Sequence, residues 1–435
     1  MKKALLTVTI LATSFLFSGC NYLSPAGGSD VSKQSETTQH IETESAGETT
    51  TVAEAQTAEE TEETEETKEL QGVYLGVKNY GAPETTRDNY LKFEYRFNVG
   101  GKEEVFGIAD FAEADYAIQN QLKEGYTFDI TLKGGKIISV SEKKQDDSAA
   151  WEPVVKGTPG EKTLKNFIKT ALMPVGNTLY IYGGGWAWQD DEASMQARSI
   201  GVSGDWKRFF DSQDASYTYK DKDNKEENKN AATSYYPYGE FIEYYYAGLD
   251  CSGYLGWTLY NTFETENGKE GYVFPSTQNS KRLADRGWGE IRRTIPNTGV
   301  RDDTSVHPGD IISIKGHVWI SLGTCKDGSI LMAHSSPSLS REGQPGGGVQ
   351  IAAIGESKDC GAYKLAQKFM SEYYPEWYER YEADLKKSAV YFDMSNEQAG
   401  IFTWNTTGEN GGLTDPDGVK DMDPKVLLNV IYKDK

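Results

Sequence analysis

Thiols and imidazoles are scarce in this sequence, with four cysteines and four histidines in 435 residues. One cysteine, Cys20, closes an N-terminal leader; the others, Cys251, Cys325 and Cys360, are too few for a disulfide framework. Cys325 and Cys360 either pair outside the cell or stand as two free thiols. No zinc spacing, phosphate-binding glycine loop or dinucleotide fingerprint occurs, so no cofactor is expected. Asp415, Asp417, Asp421 and Asp423 lack the further oxygen ligands and closing glutamate of a calcium loop, so no metal site is expected either. Asp423-Pro424 reads instead as a helix cap and first helical residue. Long apolar runs are also missing, since residues 4–17 fall short of the about 20 that a membrane-spanning helix needs. Preceded by Lys2 and Lys3 and followed by Ser18-Gly19-Cys20, that run reads as a secretory signal over 1–20 with a lipoprotein-type cleavage site. It predicts export, lipidation of Cys20 and anchorage to the outer face of the cell membrane.

Positive charge is short as well, and the chain carries a net charge of −21. Nearly half of it lies in residues 31–69, where 12 Glu stand against two Lys. Such a stretch cannot bury enough apolar surface to fold and is held extended by its like charges, so 21–69 reads as a disordered Thr/Glu-rich tether. The acidity argues against nucleic acid as a partner.

Residues 70–145 read as a small five-stranded β-barrel. "GVYLGV", "YLKFEYRFNV", "EEVFGIADF", "YTFDITL" and "KIISVSE" are rich in aromatic and β-branched residues, and "VGGK" and "KGGK" supply hairpin turns. A helical stretch, "EADYAIQNQL", follows the third strand, an order that fits an OB-type barrel, with an SH3-like barrel as the alternative. A second domain, 151–395, opens on a helix capped by Thr158, with Pro159 at its first position and Leu164, Phe167, Ile168, Ala171 and Leu172 facing a core. It carries a polar insertion at 187–246 whose "KDKDNKEENKN" is solvated loop. After Cys251 come the strands "DIISI", "HVWISLG", "SILMAHSS" and "GVQIAAI", then a helix, "YKLAQKFMSEYY", stopped by Pro375. Residues 396–435 remain as a C-terminal extension.

The chemistry concentrates in "AGLDCSGYLGW". Cys251 stands where the helical run of Leu255 and Leu259 begins, and the unpaired N–H groups of a helix start lower a thiol pKa from about 8.5 into the ~3.5–7.5 range. The competing role is a small buried apolar residue, against which the polar neighbours Asp250 and Ser252 speak. Of the histidines, His40 lies in the tether and His307 in a turn before Pro308-Gly309. His317 begins one strand and His334 ends the next, and the turn at Asp327-Gly328 folds the two together. A Cys251-His317-His334 triad follows, with His317 taking the proton and His334 holding its ring, unless both are ordinary strand histidines.

"LYIYGGGW", "DCSGY", "HPGDIISIKGHVWISLG" and "ILMAHSSPS", in this order over 162–354, resemble the NlpC-type family of bacterial cell-wall cysteine peptidases. The resemblance implies a papain-like α+β catalytic domain, a helix-borne cysteine packed on an antiparallel sheet. It also implies a peptidoglycan hydrolase that cuts stem peptides, usually between D-γ-glutamate and a diamino acid. Cys251 would be the nucleophile, His317 the base and His334 the third polar member. Tyr180, Asp250 and Ser252 would hold substrate. Two departures matter: about sixty residues separate the glycine-rich segment from the cysteine, and the loop before His317 is only Lys315-Gly316. An amidase of the CHAP type and a non-cutting wall-binding lipoprotein are the alternatives. The barrel would bind the wall or act as a spacer.

Overall fold

A computed structural model describes residues 66–78, 94–109, 118–143, 151–187, 192–218 and 244–433. Cys20, His40, residues 21–65 and the run "KDKDNKEENKN" lie outside them.

Alternation of inward aromatic and aliphatic residues builds the first sheet. Strand β1 (Thr67–Lys78) pairs antiparallel with β2 (Glu94–Val99) and β4 (Thr127–Lys133). β2 turns into β3 (Lys102–Phe106) through Gly100-Gly101, and β4 into β5 (Lys136–Glu142) through Gly134-Gly135. All four glycines have positive φ, the geometry that a two-residue hairpin turn of this hand requires. Tyr95, Phe97, Phe128, Ile130 and Leu132 are buried on one face. The order is β3-β2-β1-β4-β5, with helix α1 (Ile118–Gln121) between β3 and β4. The residues just past β3 meet β5, since Ile137 N–H donates to the Gly107 carbonyl at 2.8 Å and Ala109 N–H to that of Ile137 at 2.9 Å. The tether was expected to run to residue 69, but β1 begins at Thr67, because Thr67, Lys68 and Glu69 pair with Lys133, Leu132 and Thr131. Cross-strand pairing outweighs local composition there.

Helix α2 (Leu164–Leu172) buries the apolar face expected of it, yet it starts later than Thr158 and Pro159 imply. Its cap is Thr163, whose side chain accepts from Asn166 N–H at 3.1 Å. The Asn166 amide binds both the N–H of Thr158 (2.7 Å) and its carbonyl (2.8 Å), holding 158–162 as a turn ahead of the helix. A short hairpin of β6 (Trp186–Ala187) and β7 (Glu192–Ala193) follows, then α3 (Gly204–Ser212). Trp206 of α3 packs edge-on against Trp257 at 5.4 Å, so part of the insertion belongs to the core. Lys123 bridges Asp205 of α3 (3.0 Å) and Glu142 of β5 (3.2 Å). The Glu124 N–H donates to the Tyr246 hydroxyl at 2.8 Å. These contacts set the five-stranded sheet against the segment that leads to Cys251.

Helix α4 (Cys251–Phe263) is buried along its whole length. After α5 (Asn279–Asp285) come β8 (Gly289–Arg292), β9 (Ile311–Ile314), β10 (His317–Thr324), β11 (Ile330–Leu339) and β12 (Pro345–Ile354). The chain continues through α6 (Gly361–Tyr373), α7 (Pro375–Arg380), β13 (Leu385–Lys386), α8 (Ser388–Tyr391), β14 (Gly400–Trp404) and α9 (Pro424–Lys433). The seven-stranded sheet has the order β13-β12-β11-β10-β9-β14-β8, antiparallel except for the β12–β13 pair. The fold is mixed, with helices and antiparallel sheets, compatible with the α+β class. β14, from the stretch read as an extension, enters this sheet between β9 and the edge strand β8, and its Trp404 packs on Phe167 at 5.5 Å and on Trp288 at 6.0 Å. Asp423 accepts from Lys425 N–H at 3.0 Å and Pro424 opens α9, as its sequence implies. Asp415 receives the N–H groups of Val419 and Lys420, both at 2.9 Å.

Candidate active site

Cys251 is the first residue of α4, and the local sequence dictates how it gets there. Asp250 caps the helix, its Oδ1 accepting from Gly253 N–H at 2.7 Å and from Ser252 Oγ at 2.8 Å. The "GGG" of "YGGGW" lies against this first turn: a Cβ on Gly253 would stand 2.0 Å from the Gly184 carbonyl, and one on Gly184 would stand 2.5 Å from that of Gly248. Only glycines permit that approach. Asp250 N–H donates to the Gly184 carbonyl at 3.0 Å. Ser335 Oγ of β11 donates to the Leu249 carbonyl at 2.6 Å, tying the residues before Cys251 to the strand of His334. α4 then packs across β10 and β11.

His317 opens β10, and His334 sits fully buried within β11 rather than at its end, because β11 runs on to Leu339. The two rings meet edge to face, with His317 Nε2 at 3.3 Å from His334 Nδ1. The third ring of the group is Tyr391, at 5.3 Å from His317 and 5.8 Å from His334. Its hydroxyl stands 3.4 Å from His334 Nδ1 and 3.4 Å from Ser336 Oγ. Burial pushes that hydroxyl up to about 12, with Lys386 opposing the rise and Asp384 and Cys251 adding to it. Burial holds His317 well below the ordinary histidine value, helped by His334 and Lys386 and opposed by Asp384. Burial and Lys386 do the same to His334. Both imidazoles are therefore neutral near pH 7, the form that takes up a proton.

Asp250, Ser252, Tyr182, Gly183, Trp186 and Ser276 line a small cleft. Trp186 Nε1 donates to Ser252 Oγ at 3.3 Å, and Ser276 Oγ is buried without a hydrogen-bond partner among the described residues. Asp250 is buried, and burial lifts its carboxyl to about 6 against the pull of its hydrogen bonds. Tyr180 is not among the lining residues. It is buried, its N–H donates to the Gly347 carbonyl at 2.9 Å, and its own carbonyl accepts from Tyr217 at 2.6 Å.

The structure thus pairs His317 with His334, packs the helix that Cys251 opens across their two strands, and sets Asp250 and Ser252 in a small cleft. His307 lies elsewhere, 3.3 Å from the Lys420 carbonyl. Cys325 and Cys360 are free thiols, and Cys325 is pushed up to about 12 by burial and by Asp327, so it is no nucleophile. Sequence reasoning missed Tyr391, Asp384, Lys386, Tyr182, Trp186 and Ser276.

One consequence for His334 follows from the ring contact. His334→Ala is expected to cost on the order of 10²–10⁴ in kcat, because His317 loses the group that orients it. His334→Asn, whose carbonyl accepts from a His317 N–H, should recover about tenfold of that loss. Steady-state rates of the two variants at matched folding check the order.

No family model, curated protein or solved structure matches this chain.

Proposed function

We propose that this chain is an exported, lipid-anchored peptidoglycan hydrolase of NlpC type that cuts stem peptides at the D-γ-glutamyl–diamino acid bond by a thiol mechanism. The single observation that carries the reading is the pairing of His317 and His334 at 3.3 Å on the two strands across which the Cys251 helix packs. In this mechanism His317 takes the Cys251 proton as sulfur attacks the peptide carbonyl, then returns it to the leaving amine. Water, deprotonated by the same ring, releases the acyl group. A helix-borne cysteine packed on an antiparallel sheet supports a papain-like catalytic unit. The order β3-β2-β1-β4-β5, with the residues just past β3 meeting β5, supports an OB-type barrel over an SH3-like one. The digestion of purified peptidoglycan by the full chain is the test: new primary amines should appear, and none from a folded, reduced enzyme would contradict the reading.

In this reading the cleft binds the free amino end of a stem peptide. Asp250 supplies the anion, Ser252 and the Ser276 hydroxyl supply polar contacts, and Tyr182 takes the lining position expected of Tyr180. An ionised carboxylate raised from 3.8 to about 6 opposes folding until a cation meets it. The folded state binds this proton more tightly than the unfolded one. Its stabilising share is therefore complete below pH 3.8 and lost as pH rises through about 6. Asp250→Asn keeps a capping acceptor and sheds the charge, so its melting temperature should exceed the parent's at pH 7.5 and match it near pH 4. The same variant should lose about 2–5 kcal/mol of binding to a peptide with a free amine, and little to the acetylated peptide. Equal melting curves at both pH values, with equal use of both peptides, would reduce Asp250 to a helix cap.

A further inference from the structure

His334 is the member of the constellation whose own support is least evident. Its Nδ1 faces His317 Nε2 at 3.3 Å and the Tyr391 hydroxyl at 3.4 Å. Its other nitrogen, Nε2, is buried with no hydrogen-bond partner among the described residues, yet it faces a carboxylate, Asp384 Oδ2, at 3.8 Å. A neutral imidazole carries one ring proton, and its position decides what His317 can do. With the proton on Nδ1, His334 donates towards His317. His317 Nε2 must then carry the lone pair, and its proton sits on Nδ1, the only nitrogen left to face the thiol. With the proton on Nε2, His334 accepts from His317 Nε2–H, and His317 Nδ1 is free to take the proton of Cys251. An anion beside Nε2 favours the second arrangement, since it attracts an N–H and repels a lone pair.

Asp384 is itself held from several sides. Its Oδ2 lies 3.0 Å from Lys386 Nζ and 3.3 Å from Gln350 Nε2, and it also accepts from Ser338 Oγ. The Asp384 N–H donates to Gln350 Oε1 at 3.3 Å. Topology explains why these residues meet. After α7 the chain returns to the sheet edge as β13, parallel to β12, and on the other side of β12 Gln350 pairs with His334 of β11. The segment that follows α6 and α7 thus serves the histidines of β10 and β11.

The geometry points to Asp384 as a positioning residue that holds His334 in the tautomer whose Nδ1 accepts from His317, with Lys386 fixing Asp384 in turn. The proton moves only between Cys251 and His317; His334 and Asp384 set direction. For its rate measurement this inference rests on the peptidase reading above, whereas its spectroscopic measurement does not.

Asp384→Leu alone removes the carboxylate that faces the buried Lys386 ammonium and is expected to destabilise the fold. Asp384→Leu/Lys386→Met replaces the ion pair by two apolar side chains and keeps the fold testable. In this double variant, peptidoglycan hydrolysis should fall by on the order of 10²-fold or more in protein that still unfolds cooperatively. Asp384→Asn should fall between it and the parent. Two-bond proton–nitrogen correlations on the full chain labelled with ¹⁵N-histidine read the tautomer directly: the parent should carry the His334 proton on Nε2, and the double variant should lose that preference. A parent spectrum with the proton on Nδ1 overturns the inference whatever the variants do. A folded double variant with the parent's tautomer and rate overturns it as well. If the parent cuts no peptidoglycan, the substrate reading fails, and the two spectra alone decide the role of Asp384.

Discussion

Cys251→Ala is expected to remove hydrolysis of peptidoglycan almost completely, a loss on the order of 10⁵–10⁶ in kcat. The substitution deletes one sulfur from the first turn of α4 and leaves the Asp250 cap and the Gly184 and Gly185 contacts in place. Alanine is also the better helix former, so the melting temperature should barely move. Loss of cutting without loss of folding separates a nucleophile from a buried packing residue, the other fate of a scarce cysteine. Near-parent cutting by this variant would end the thiol mechanism at Cys251, since burial and Asp327 hold the Cys325 thiol in its protonated form.

His317→Ala should be nearly as severe, on the order of 10⁴ or more in kcat, because the thiol then has no base and the leaving amine no acid. The histidine pair also shapes the pH response. Each ring is held below its ordinary value of 6.5, so the unfolded chain takes up these protons first. Their contribution to stability is complete above pH 6.5 and declines as the pH falls below it. His317→Ala should therefore lose stability less steeply than the parent on acidification. The parent's rate, limited on the acid side by a base of lowered pKa, should persist below pH 6.5. A parent rate that halves at or above that pH would place the charged form of His317 too close to neutrality for this role.

The residues of the proposed reacting group were legible because local sequence marks the element starts at Cys251 and His317 and the turn that leads to His334. Cys251 follows a capping aspartate and precedes an apolar helix, His317 follows the Lys315-Gly316 turn, and the Asp327-Gly328 turn returns the chain towards His334. Its supporting residues were not legible. Asp384 precedes and Lys386 ends a two-residue strand, too short for any alternation to show, and only the return of the chain to β12 gives them neighbours. β14 escaped for a related reason: "GIFTW" lies in a stretch with no partner strand nearby in sequence and pairs with β9 and β8 across long intervals. Thr158-Pro159 has the composition of a helix start, but the Asn166 side chain competes for that backbone and moves the start to Leu164. Tyr180 and Tyr182 stand two residues apart in one extended run, and nothing in "LYIYGGGW" says which of them reaches the cleft.

The measurement that bears most directly on the central claim is mass spectrometry of the fragments that the full chain releases from purified peptidoglycan, with Cys251→Ala as the control. Fragments should end in the γ-carboxyl of D-glutamate on one side and begin with the amine of the diamino acid on the other, and none should form with the control. Intact stem peptides released from the sugar would show an amidase instead, and fragments that form equally with Cys251→Ala would show that this thiol does not cut.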